Sequence, residues 1–267
     1  MWIITQALMV LAMGMQLTGC TTVRHQLGRV LISDETEYAL GAQLAAHIDT
    51  TQTSLDNPNI QRYVERIAAP LVERAQVDRP GATYRFTVLD DPTQVNAFAV
   101  PGGFLYVYSG LIIAAEDEAE LAGVLAHEIG HIVGRHSANQ LASQFGIQLL
   151  SAIALGEEAS KYAVDIAQMT AQLSSARFSR DDERQADRYG LRYVVESGYD
   201  PTGLVRFFEK LGALEGGKRT SVETLFSSHP ATEERIRDIE ARIERSGIAT
   251  GQRNAQRYMR ETAVLRR

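Results

Sequence analysis

The sequence predicts an α+β fold, mainly helical, built around a small β-sheet. Three observations point that way. Apolar residues recur at helical spacing over most of the 267 residues, as in Ile60, Tyr63, Ile67 and Leu71. One interval, Tyr84 to Tyr108, changes to short β-rich runs separated by Asp90-Asp91-Pro92 and Pro101-Gly102-Gly103. The composition, 45% hydrophobic and 22% charged with 21 Gly and 7 Pro, is that of a chain able to bury a core, which excludes disordered, collagen-like and coiled-coil classes. Lys+Arg 27 against Asp+Glu 33 leaves a net charge of -6, so there is no basic surplus to neutralise phosphates, and no nucleic-acid partner is expected. The one cysteine, Cys20, excludes an intramolecular disulfide and a cysteine-only metal cage.

Taken in order, residues 1–19 carry no charge and are mostly apolar, and polarity rises sharply after Cys20. This reads as a secretory signal peptide. Leu17-Thr18-Gly19-Cys20 resembles the lipobox of bacterial lipoproteins, although no Lys or Arg precedes Arg24. The resemblance implies cleavage before Cys20, acylation of its thiol and a membrane tether that does not span, since two or more acyl chains anchor stably. Residues 20–76 read as a linker and helical preface, with helices over Asp34–Ile48 and Asn57–Gln76. Residues 77–246 form the main domain. Its strands are expected at Tyr84–Leu89, Asn96–Val100 and Phe104–Tyr108, and its helices over Asp117–His136, Leu141–Ala176, Asp181–Glu196, Thr202–Leu214 and Ala231–Ser246. Residues 247–267, with Arg253, Arg257, Arg260, Arg266 and Arg267, read as a basic, solvated tail. Past Cys20 no window reaches 18 consecutive apolar residues, so no further membrane segment is expected.

The most informative pentad is His127-Glu128-Ile129-Gly130-His131, within an apolar helical stripe of Leu121, Val124, Leu125, Ile129 and Ile132. Four residues along a helix return a side chain to within about 40°, one turn on, so both imidazoles can reach one Zn²⁺. Glu128 then stands beside the metal, where a carboxylate can take a proton from water that the metal has acidified. A third ligand is needed. His136 is the nearest candidate, but on a continuous helix it faces away from His127, and a bend at Gly134 in the HExxHxxGxxH pattern would want a histidine at Ser137. His136 is therefore expected to close the helix and interact with its dipole. Downstream, Glu183 and Asp187 share a helical face, so one can ligate while the other hydrogen-bonds a ligand imidazole.

His127-Glu-Ile-Gly-His131 followed by Phe178-Ser-Arg-x-x-Glu183-x-x-Ala186-Asp187 resembles the HtpX and CAAX-prenyl-endopeptidase family of gluzincin metallopeptidases, whose fold is zincin-like. The polar interval between His131 and Glu183, with Gln140, Gln144, Glu157, Glu158, Lys161 and Asp165, is similar to the lipid-anchored envelope branch and not to the membrane-spanning members. Asn96-Ala97-Phe98 resembles the family's substrate-side edge strand, Ser228-His229-Pro230 with Arg235 its His-Pro element near the metal, and the Glu35 to Gly41 helix its preface. The resemblance implies one Zn²⁺ per chain on His127, His131 and Glu183, with Glu128 as base, Asp187 orienting a histidine, and His229 and Arg235 as donors to the transition-state oxygen. His229 can alternatively take the fourth zinc position and hold the enzyme latent. The implied function is endopeptidase cleavage of unfolded or misassembled envelope proteins at the periplasmic face of the bacterial outer membrane, anchored through Cys20. The rival is an outer-membrane assembly lipoprotein with a capped metal site that binds extended clients along the strand at Asn96 to Val100.

Overall fold

A computed structural model describes residues 32–156, 159–214, 228–230, 232–248 and 250–266. The signal segment and Cys20 lie outside the described residues. The first helices are α1 (Asp34–Thr51), capped by Ser33, and α2 (Pro58–Asp78). Asn57 starts α2 by accepting the N–H groups of Asn59 and Ile60, and Pro58 occupies the first turn, where a missing N–H costs nothing. Then come β1 (Arg85–Leu89), β2 (Ala97–Val100) and β3 (Phe104–Tyr108), in the order β1-β3-β2, with β3 parallel to β1 and antiparallel to β2. The pleat sorts their side chains. Ala97, Ala99, Leu105 and Val107 join one core cluster with Ile67 and Leu71 of α2, while Phe98, Val100, Phe104, Tyr106 and Tyr108 join a second with Leu40, Leu44 and Ile48 of α1.

The remaining α-helices among the described residues are α3 (Ser109–Ala114), α4 (Glu118–Gly134), α5 (His136–Phe145), α6 (Ile147–Ala154), α7 (Ala163–Leu173), α8 (Arg180–Glu196), α9 (Gly203–Leu214), α10 (Glu233–Ser246) and α11 (Ala255–Glu261). The α+β class expected from the sequence is what forms. Every residue of α4 is buried, with α8, α2, α9 and β2 packed around it. Among the described residues no helix is long and apolar enough to cross a membrane.

Three expectations change. The helix expected through His136 stops at Gly134: Arg135 takes a left-handed conformation (φ 57, ψ 30) and α5 restarts at His136. That turn is held by the Arg135 guanidinium, which donates to Glu37 Oε2 (2.5 Å) and to the Ile32 carbonyl (2.6 Å). Glu37 of α1 is buried, and its Oε1 also accepts the Gly102 N–H. The stretch Leu141–Ala176 is broken at Gly146 (φ 80) and again after Ala154. Finally, the basic segment is not a solvated tail. Arg253 pairs with Asp117, Arg257 with Glu118, and the fully buried Tyr258 donates its hydroxyl to the Ile112 carbonyl (2.7 Å). Two of its arginines thus meet buried acids at the start of α4 and Arg266 donates to the Ile113 and Ala115 carbonyls, so the segment packs.

Candidate metal centre

α4 presents His127 and His131 one turn apart, with their Nε2 atoms 3.1 Å from each other. The neighbouring α8 is started by a capping box between Ser179 and Asp182 and presents Glu183 and Asp187 at the same four-residue spacing. The two helices approach closely because the contact is made of small residues: a Cβ on Gly130 would lie 2.7 Å from the Ala186 carbonyl oxygen. That explains the glycine inside the pentad. Glu183 Oε2 stands 3.3 Å from His127 Nε2, and Oε1 stands 3.6 Å from His131 Nε2. His229 Nδ1 completes the group, 2.9 Å from Glu183 Oε1 and 3.3 Å from His127 Nε2. All four donors lie within 4.8 Å of one another and are buried. Tetrahedral zinc with ligands at 2.0–2.1 Å requires donors about 3.3 Å apart. The spacing, and the three-imidazole, one-carboxylate chemistry of the donor set, fit such an ion.

The surrounding charges are arranged to suit. Burial pushes His131 well below the usual histidine range, so it stays neutral as a ligand must. Burial opposes protonation of His127 too, but Asp187 and Glu183 raise it to about 9. Asp187 Oδ1 sits 2.9 Å from His127 Nδ1. Burial alone would raise the Glu183 carboxyl, yet His229, His127 and Arg235 hold it well below the usual carboxylate range. Glu128 is different. Its carboxylate is 1% exposed, neither oxygen has a hydrogen-bond partner among the described residues, and burial raises its pKa above the ordinary range. His229 Nε2 is 3.5 Å from its Oε1.

Residues 54–243 match the model of peptidase family M48. The chain belongs to that family. It is 34% identical to metalloprotease LoiP of Escherichia coli over 58% of this chain and 61% of that protein. It is 29% identical to E. coli metalloprotease YcaL over 79% of this chain and 82% of that protein. With the E. coli beta-barrel assembly-enhancing protease it shares 27% identity over 86% of this chain and 48% of that protein. The chain thus spans about half the length of the beta-barrel assembly-enhancing proteases it matches.

In this M48 chain the remaining predicted residues fall in two places. Arg235 is near the metal donors but committed: it makes two 2.8 Å bonds to Asp187, one 2.7 Å contact to Glu183 Oε2 and one 2.9 Å bond to the Pro230 carbonyl. A guanidinium so placed braces the two carboxylates. Ala97 and Phe98 lie on an edge strand with Asn96 just before it, but Phe98 turns into the core and stacks on Tyr106 at 5.2 Å. On the outer side of this segment the Ala99 carbonyl accepts Ser137 Oγ (2.8 Å), and the Asn96 side chain donates Nδ2 to the Ser174 carbonyl (3.1 Å). Two residues without an assigned role join the centre. Phe178 lays its ring 4.1 Å from that of His131, and His136, expected to face away, sits with Nδ1 2.9 Å from His131 Nδ1. A phenylalanine before a helix cap gives no chemical signal; His136 was hidden by the assumption of an unbroken helix.

Proposed function

We propose that the chain is a zinc-dependent endopeptidase of the bacterial envelope, tethered through a lipid on Cys20, which hydrolyses unfolded or misassembled envelope polypeptides and rests in a latent state. The observation that carries this reading is a buried Glu128, whose oxygens accept no hydrogen bond among the described residues, beside four convergent metal donors. His127, His131 and Glu183 would hold one Zn²⁺, which supplies Lewis acidity toward water and the scissile carbonyl. Glu128 takes the proton of the attacking water and passes it to the leaving amine, and a pKa raised by burial suits both transfers. Asp187 keeps the His127 ring oriented, and Arg235 keeps Asp187 and Glu183 in place. Turnover needs an open coordination position, so the fit of His229 within the donor group makes it the latch. Once displaced, its imidazole can donate to the carbonyl oxygen.

The relatives' names, beta-barrel assembly-enhancing protease among them, support the envelope and its misassembled proteins as the setting. The rival, a binding lipoprotein with a permanently capped metal, draws on the same His229 geometry, but on the β2 edge it would use the Ala99 carbonyl is already taken by Ser137 Oγ. Hydrolysis of unfolded casein by the purified chain, with chelator and with added zinc, separates them. Chelator is expected to abolish cleavage and zinc to restore it, while His229→Ala raises self-cleavage and lowers kcat by roughly 10²–10³. A zinc-loaded His229→Ala protein that cleaves nothing would favour the binding protein.

A further inference from the structure

We infer that His136 is the positioning residue of the second zinc histidine, and that the turn ending α4 is built to place it there. The inference rests on the reading of His127, His131 and Glu183 as the zinc donors. His131 turns Nε2 into the donor group, 3.1 Å from His127 Nε2, and turns Nδ1 away from it, 2.9 Å from His136 Nδ1. A nitrogen that binds a metal carries no proton, so the proton of neutral His131 sits on Nδ1 and His136 Nδ1 accepts it. His136 then carries its own proton on Nε2, which faces Gln185 Oε1 at 2.8 Å, with Asp182 Oδ1 at 3.6 Å. The relay runs from α4 across α5 to α8, the helix that bears Glu183.

On an unbroken helix a residue five positions beyond His131 points about 140° away from it. The contact exists because Arg135 reverses the chain at φ 57. Arg135 is held in that conformation by Glu37 and the Ile32 carbonyl, and Gly134 leaves room for the returning ring: a Cβ there would lie 2.3 Å from His136 Nε2. His136 is buried, its ring 4.8 Å from that of His131 and nearly perpendicular to it at 80°. Phe178 packs against both rings. The two candidate ligands therefore have different partners behind them, a carboxylate for His127 and a neutral imidazole for His131. Groups in that place orient the ligand and tune its basicity, and losing one typically weakens metal binding 10–100-fold.

The test is zinc affinity by competition with a fluorescent chelator in wild type, His136→Leu and His136→Asn, with imidazole ¹⁵N spectra of the zinc-loaded protein. His136→Leu is expected to bind zinc 10–100-fold more weakly, and His136→Asn, whose Oδ1 takes the place of Nδ1, to stay within about threefold of wild type. Wild-type spectra should show His131 protonated at Nδ1 and coupled through that proton to His136 Nδ1. Equal affinity in a folded His136→Leu, or an Asn variant as weak as the Leu variant, would overturn the assignment. If His136→Leu fails to fold, the wild-type spectrum decides: a proton on His131 Nε2, or on His136 Nδ1, contradicts it. A wild-type chain that binds no zinc would remove the zinc reading itself and this one with it, a result visible before any variant is compared.

Discussion

The two ends of α4 bury acidic side chains equally well and treat them in opposite ways. At its start, Asp117, Glu118 and Glu120 are all buried, and every one is matched: Asp117 by Arg206 and Arg253, Glu118 by Arg257, Asn254 and the Tyr63 hydroxyl, Glu120 by Lys210. Two turns further on, Glu128 is buried to the same degree with no hydrogen-bond partner among the described residues. A buried carboxylate without a partner is costly, so a fold keeps one only where something else uses it. The first cluster holds the helix in place; the second is where water and substrate enter the accounting. The contrast separates structural polarity from chemical polarity on one helix.

The largest effect on the structural end comes from removing its cations. Arg253→Ala combined with Arg257→Ala takes a half-exposed cation from each of two buried carboxylates, Asp117 keeping Arg206 and Glu118 keeping Tyr63 and Asn254, and should lower stability by about 2 kcal/mol in urea unfolding, with zinc content of the folded protein unchanged. At the metal end the expected pattern is reversed. Asp187→Asn removes the carboxylate behind His127 and should weaken zinc binding 10–100-fold, read by chelator competition, with a smaller change in stability. The mildest probe is pH. In metal-free protein His127 is raised to about 9, above its ordinary value near 6.5, so its ion pairs contribute stability that is full below about pH 6.5 and is lost as pH rises through 9. Zinc must displace that proton, so its affinity should rise by up to about tenfold per pH unit over the same window. Stability of the metal-free protein and zinc affinity should thus move in opposite directions between pH 6.5 and 9; parallel movement would mean that His127 is not the group displaced.

How much of this could be read from sequence follows from which signals are local. The pentad His127 to His131 and the pair Glu183 and Asp187 are legible because helical spacing of four brings side chains to one face whatever surrounds them. β1, β2 and β3 are legible because Pro101-Gly102-Gly103 and Asp90-Asp91-Pro92 interrupt apolar runs. The turn at Arg135 is not: a left-handed arginine is held by Glu37, 98 residues earlier in the chain, and no local pattern announces that partner. The same holds for the C-terminal segment, whose arginines look like solvated charge until Asp117 and Glu118 are seen buried beneath them. Arg235 was placed correctly near the metal donors, but its commitment to Asp187 and Glu183 depends on how α10 crosses α8.

On this reading Glu128, whose oxygens accept no hydrogen bond among the described residues, serves the chemistry, whereas Glu183, on the facing helix, holds the metal. Zinc content and peptide hydrolysis measured side by side on wild type, Glu128→Gln and Glu183→Gln test it directly. Glu128→Gln should retain about one zinc per chain and lose roughly 10²–10⁴ in turnover, whereas Glu183→Gln should lose zinc and activity together. A Glu128→Gln protein that still cleaves at the wild-type rate, or that loses its zinc as Glu183→Gln does, would contradict the account.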